Sequence, residues 1–233
     1  MTESTQPTEP PSPSIAAAPN GPLIVTGGVP LYRRRAVKSE HGEPLAWQTT
    51  GRIETRDRYA LCRCGQSDRK PFCDGTHAKV GFRADDAATG TYAERSKELG
   101  GTGITVRDDR SICVHAGFCG TRITNVWKLV SGTAESTVRS QVIGMVEKCP
   151  SGALTYRFDG DDLEALLPQV ISVTDDGPLW VTGGIPVVSS GGEGLEIRNR
   201  VTLCRCGSSA NKPLCDGSHK AAGFHDAALT TAD

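Results

Sequence analysis

Long hydrophobic runs are missing from this sequence. Its apolar stretches are short pieces such as residues 185–188, far below the roughly 20 residues of a membrane-spanning helix, so a helical membrane protein is excluded. Aromatic residues are scarce at 5%, and hydrophobic residues make up 37% while Gly (27) and Pro (14) are plentiful. A chain of 233 residues with this composition buries a modest core, and something besides apolar packing has to help hold it. Charge of one sign is also lacking: 26 basic residues face 27 acidic ones. Residues 31–99 carry 14 basic and 10 acidic side chains, too slight an excess for a nucleic-acid footprint.

Enzymatic signatures are equally absent. No nucleophile triad and no paired catalytic carboxylates stand out. Gly27-Gly28 and Gly183-Gly184 lie in β-rich stretches with no following helix of the kind a phosphate cradle needs. The opening MTESTQPTEPPSPS has neither a basic n-region nor an apolar h-region, and its acids argue against a mitochondrial transit peptide. The expectation is a cytoplasmic chain that carries something rather than catalyses a reaction.

Nine cysteines are what is there instead. An odd count without a secretory signal argues against a disulfide scaffold, and clustered thiols in a reducing compartment bind metal or do redox work. They fall into three groups of three: Cys62, Cys64 and Cys73; Cys113, Cys119 and Cys149; Cys204, Cys206 and Cys215.

The first and third groups belong to an internal repeat. Residues 56–82 align without gaps on 198–224 with 16 identities in 27, and the leader 21–31 aligns on 177–187 with 8 in 11. The leaders lie 156 residues apart and the cysteine segments 142, so the first copy holds fourteen extra residues, placed in the stretch that includes Arg33 and Pro44. The chain therefore divides into a disordered tail (1–20), a first unit (21–87), a middle segment (88–172), a second unit (173–227) and a short tail (228–233).

Punctuation sets the elements. Residues 23–26 and 179–182 are β-rich runs stopped by Gly-Gly, and 59–61 and 201–203 deliver the chain to each first cysteine pair as strands. Thr76 and Ser218 follow turn dipeptides where a short helix can be capped. In the middle, 104–106 and 153–158 alternate like strands, 137–148 has helical spacing, and Gly100-Gly101 reads as a linker. The fold class is α+β.

Each repeat spells C-x-C-x8-C-x3-H: Cys62, Cys64, Cys73, His77 and Cys204, Cys206, Cys215, His219. Three thiolates and one imidazole suit either a zinc ion or a two-iron cluster. The filler residues resemble the CDGSH (mitoNEET-type) iron–sulfur family. That pattern's fixed positions are met by Ser67, Pro71, Asp74, Gly75 and Thr76 in one copy and by Ser209, Pro213, Asp216, Gly217 and Ser218 in the other. The resemblance implies one [2Fe–2S] cluster per motif, held by the three cysteines and the histidine. It also implies an intramolecular pseudo-dimer in which the leaders supply a β-cap. An imidazole in place of a thiolate raises the cluster's charge and with it the reduction potential, and lets acid compete for the ring nitrogen. Arg63 and Arg205, between the ligands, are expected to be solvated, and Lys70 and Lys212 to lie on the surface. His41 and His225 have no partner pattern.

The middle group reads CVHAGFC at 113–119 and CPSGAL at 149–154. It resembles divergent single-cluster ferredoxin domains in which Ala116 occupies the second cysteine position of the run and Cys149-Pro150 supplies the remote ligand. Cys113, Cys119 and Cys149 then favour a [3Fe–4S] cluster. The alternative is a [4Fe–4S] cluster completed by His115. Phe118 and Trp127 are expected in the core.

The functional expectation is one-electron transfer between soluble redox proteins, a reductase and an acceptor. A cluster carrier delivering to an apo-protein, or a redox or acid sensor, is the second reading, and a zinc-binding structural module the third. Neither nucleic acid nor membrane is an expected partner.

Overall fold

The computed structural model describes residues 11–226. Strands β1 (Ser14–Ala17), β2 (Leu23–Thr26), β3 (Leu31–Lys38), β4 (Pro44–Ile53) and β5 (Tyr59–Leu61) come first, then the short helices α1 (Thr76–Lys79) and α2 (Tyr92–Arg95). The middle segment adds β6 (Lys97–Gly101), β7 (Ile104–Asp108), α3 (Val126–Leu129), α4 (Ser136–Glu147), β8 (Leu154–Phe158) and β9 (Asp161–Leu163). Strands β10 (Val170–Thr174), β11 (Leu179–Thr182), β12 (Val187–Val188) and β13 (Arg200–Leu203) complete the chain. No helix among the described residues is long and apolar enough to cross a membrane.

The two copies exchange strands. One sheet runs β12-β1-β2-β5 and another β13-β11-β10-β3-β4, so β12 of the second copy completes the first copy's sheet and β3 of the first completes the second's. The registers match across the repeat: Ile15 lies beside Val187 in one parallel pair and Ile171 beside Leu31 in the other. Neither copy can therefore bury its own β-branched face without the other. Ile15, Val25, Leu31, Leu61, Ile171, Val181, Val187 and Leu203 join one core shared by both, each contributing about 1.5–3 kcal/mol of burial. The result is a β-rich pseudo-dimer within one chain, with an α+β segment inserted between its halves.

That inserted segment has its own sheet, β6-β7-β8-β9, against which α4 lays Val142, Met145 and Val146. The helical spacing and the two strands expected there are present.

Several expectations need correction. The tail placed over 1–20 contains β1, held by β2 on one side and β12 on the other, while residues 1–10 and 228–233 lie outside the described residues. The boundary drawn at 173 cuts β10, whose five residues are all buried and which pairs with the second leader. Gly100-Gly101 ends strand β6 rather than linking modules. The fourteen extra residues lengthen a β3–β4 hairpin, as placed.

Arg63 and Arg205 are not solvated: they are 1% and 2% exposed. Arg63 donates to the Gly21 and Ala18 carbonyls and pairs with Asp86 at 2.9 Å. Arg205 repeats this on Gly177, Thr174 and Asp226. Each fixes its own leader's turn to the strand that carries the C-x-C pair. Lys70 and Lys212 are half-buried and donate to the Ser67 and Ser209 carbonyls.

Candidate metal centres

Each C-x-C pair leaves the end of a buried strand, β5 or β13, so two sulfurs emerge side by side from extended backbone. Cys62 and Cys64 place their Sγ atoms 3.7 Å apart, as do Cys204 and Cys206. Two thiolates on one tetrahedral metal, at about 2.3 Å each, stand roughly 3.8 Å apart, so these pairs have the spacing of a shared ion. The other half of each site comes from the turn after the third cysteine. Asp74 accepts N–H bonds from Thr76 and Asp68, and Asp216 accepts them from Ser218 and Ala210. These bonds hold Asp74 well below the usual carboxylate range. They, rather than Thr76 or Ser218, tie the turn; Thr76 is the first residue of α1 and Gly75 precedes it. The turn brings His77 Nδ1 to 3.3 Å from Cys73 Sγ and His219 Nδ1 to 3.5 Å from Cys215 Sγ.

The donor set is thus two plus two: a C-x-C pair and a Cys/His pair. Among the described residues no three such side chains converge on one metal-ion position, and all nine cysteines are free of disulfides. Backbone N–H groups of Gln66, Gly75 and Ser208 point at Cys64, Cys73 and Cys206 sulfurs at 3.4–3.5 Å. Burial pushes the Cys64 thiol up to about 11 and Cys215 up to about 12, so loading either site must displace protons. Burial lowers His219 to about 4, helped by Lys220 and Arg205, which keeps its imidazole neutral and able to donate a lone pair to metal.

The copies meet at their cysteines. Cys64 and Cys206 form an isolated antiparallel bridge, and the arginine beside each is ion-paired within its own copy, Arg63 with Asp86 and Arg205 with Asp226.

Cys113, Cys119 and Cys149 line one cavity of about 150 Å³ together with His115, Ala116, Phe118 and Pro150. Their mutual charge, added to burial, raises Cys119. The cavity lies on a seam: Cys113 and Cys149 pack on the core of the pseudo-dimer, and Cys119 and Cys149 on that of the inserted segment. His115 is a non-glycine residue at φ 54°. The Cδ2–Nε2 edge of its ring faces Gly217 of the second copy. Phe118 is buried, and Trp127 packs on the inserted core with Nε1 donating to Asp108. His41 and His225 sit beside Glu40 and Asp176.

Sequence reasoning passed over Arg200 and Trp47. Arg200 is buried and donates to the Val146, Glu147, Cys149 and Leu154 carbonyls, closing the C-terminus of α4 and fixing the Cys149 backbone. Trp47, at the far end of the lengthened hairpin, donates to the Lys148 carbonyl and packs its ring 4.8 Å from Phe118 and 5.1 Å from Trp180. Trp47 lies just past the stretch assigned to the fourteen extra residues, and Arg200 differs in nothing from its aligned partner Arg58 in the sequence.

Comparison with known families agrees with this layout. Residues 20–78 and 176–220 match the iron-binding zinc finger family of CDGSH type. Residues 99–159 match the family of divergent 4Fe–4S mono-cluster domains. Both are iron–sulfur-binding families. No curated protein matches the chain.

Proposed function

We propose that this chain, two iron-binding CDGSH-type segments around a divergent 4Fe–4S mono-cluster segment, is a one-electron carrier with three iron–sulfur centres. Cys62, Cys64, Cys73 and His77 hold one [2Fe–2S] cluster, and Cys204, Cys206, Cys215 and His219 hold a second. The two-plus-two donor set supports a two-iron group over a single zinc, since each pair has the spacing for one metal. Cys113, Cys119 and Cys149 hold the third centre, of the [3Fe–4S] type. The ring edge that His115 turns to Gly217 supports leaving it out of the ligand set, against a histidine-completed [4Fe–4S].

When bound, such clusters supply reversible one-electron chemistry. The chain's own residues do the rest. N–H groups of Gln66, Gly75 and Ser208 aimed at the Cys64, Cys73 and Cys206 sulfurs offset negative charge at the sites.

The observation that carries the reading is contiguity. Cys64 touches Cys206 across the copies, and the Cys113 carbonyl lies against Gly217, two residues from Cys215. Three sites in contact through their own backbones suit a carrier better than separate structural ions. A stepwise reductive titration of the iron–sulfur-loaded protein, followed by absorption and paramagnetic resonance, tests it. Three reversible one-electron steps are expected, and a protein that takes up no electrons contradicts it. Delivery of a cluster to an apo-protein is the second reading, supported by a His77 that is only half-buried. Its test is transfer to an apo-ferredoxin.

A further inference from the structure

The two CDGSH-type sites have matching motifs but unequal surroundings. Gly75 and Gly217 hold equivalent places, at φ 88° and 89°. A methyl group on Gly75 would meet nothing within 4 Å, whereas one on Gly217 would lie 2.6 Å from His115 Cδ2 and 3.1 Å from the Cys113 carbonyl oxygen. His77 is half-buried and His219 is 6% exposed; Cys73 is half-buried and Cys215 is buried.

The second copy's loops also grip the inserted segment. Lys220 donates to the His115 carbonyl at 2.5 Å, and Asn211 to that of Ser111. Arg198 and Arg200 reach Gly152 and the end of α4, while their first-copy equivalents, Arg56 and Arg58, are exposed. His219 opens into a cavity of about 390 Å³ whose other walls include Lys38, Trp47, His115 and Lys220. The lengthened hairpin and the inserted segment together roof Cys215 and His219 of the second site, while Cys73 and His77 of the first stay partly exposed.

We propose that the insertion turns two equivalent sites into an inner and an outer one. The second CDGSH-type site is the internal neighbour of the middle site, coupled to it through the Cys113–Gly217 contact that His115 positions. The first site, through the partly exposed Cys73 and His77, is where the chain meets an external one-electron donor or acceptor protein. One electron passes at each encounter, with no bond made or broken. The proposal rests on the iron–sulfur reading above and deepens it by assigning the sites different neighbours.

Electron spin relaxation in the reduced, fully loaded protein tests it. His77→Cys and His219→Cys each shift the resonance of one site and so label it. While the middle centre is paramagnetic, the signal shifted by His219→Cys is expected to relax severalfold faster than the signal shifted by His77→Cys. A dissolved gadolinium chelate is expected to do the reverse, broadening the first-site signal severalfold more. Should a variant fail to fold, the unaltered protein still tests it: of two overlapping signals, the one that the chelate spares is expected to be the one that the middle centre relaxes. His115→Ala is expected to bring the two sites' responses to the chelate closer together. Equal responses at both sites, or the stronger coupling at the first, would overturn the proposal and leave the iron–sulfur reading standing. A loaded preparation with no two-iron signal at all would overturn both.

Discussion

Cys64 and Cys206 face each other in an antiparallel bridge, each followed by a glycine in the left-handed region, Gly65 at φ 78° and Gly207 at φ 84°. A methyl on Gly65 would lie 2.5 Å from the Cys206 carbonyl oxygen, and one on Gly207 2.7 Å from that of Cys64. The copies can cross this closely only because neither residue has a side chain.

Gly65→Ala and Gly207→Ala are therefore expected to cost about 2–4 kcal/mol each, from backbone strain and a clash with backbone that cannot yield. Gly75→Ala pays the strain alone, about 1–2 kcal/mol. Thermal melts of the three variants check this. A Gly65→Ala melt no lower than that of Gly75→Ala would mean the copies do not meet as described.

Arg200 and Arg58 make a matched pair of probes. Arg200 is buried on the α4 carbonyls and beside Glu164, while Arg58 is exposed. Arg200→Ala is expected to destabilise the chain by about 1–3 kcal/mol, because it leaves the buried Val146 and Leu154 carbonyl oxygens without their donor. Arg58→Ala should stay within about 0.5 kcal/mol of the parent. Denaturant titrations of both variants decide the matter.

Trp47 ties the lengthened hairpin to the inserted segment through the Lys148 carbonyl and the Phe118 ring. Trp47→Ala should cost about 1–3 kcal/mol, less than a fully buried tryptophan. Amide exchange in β3 and β4 should speed up while β10 and β11 stay protected. Unchanged hairpin exchange would show that the contact holds nothing.

The inserted sheet has a pH signature. Hydrogen bonds from Arg157, with help from its charge and that of Arg107, hold Asp162 below the ordinary carboxylate range. A depressed folded-state pKa gives stability that is present above the unfolded value near 4 and is lost as pH falls through the folded one. Asp162 is 56% exposed, which keeps the contribution under about 1 kcal/mol. Asp162→Asn should thus melt slightly lower than the parent at pH 7, and the two melting temperatures should converge in strong acid.

The cysteine motifs and leader strands were legible because chemistry or punctuation marks them locally. Cys62 to His77 is a fixed spacing, and β2 and β11 are short runs of strand-forming residues ended by Gly-Gly. What escaped depends on distant partners. The run Ser14–Ala17 has little strand character of its own and becomes β1 only between β2 and β12. Arg63 and Arg205 are buried because Asp86 and Asp226, more than twenty residues on, come back to meet them. The asymmetry of the two sites was invisible for a sharper reason: the motifs match at every fixed position, and only the packing of the inserted segment tells Gly217 from Gly75.

Metal and sulfide analysis of protein purified without air tests the central claim most directly. The account predicts a coloured protein holding iron and acid-labile sulfide in comparable amounts, with both lost together when Cys62 and Cys204 are changed to serine and Cys113 to alanine. A colourless protein without sulfide, carrying zinc in its place, would contradict it.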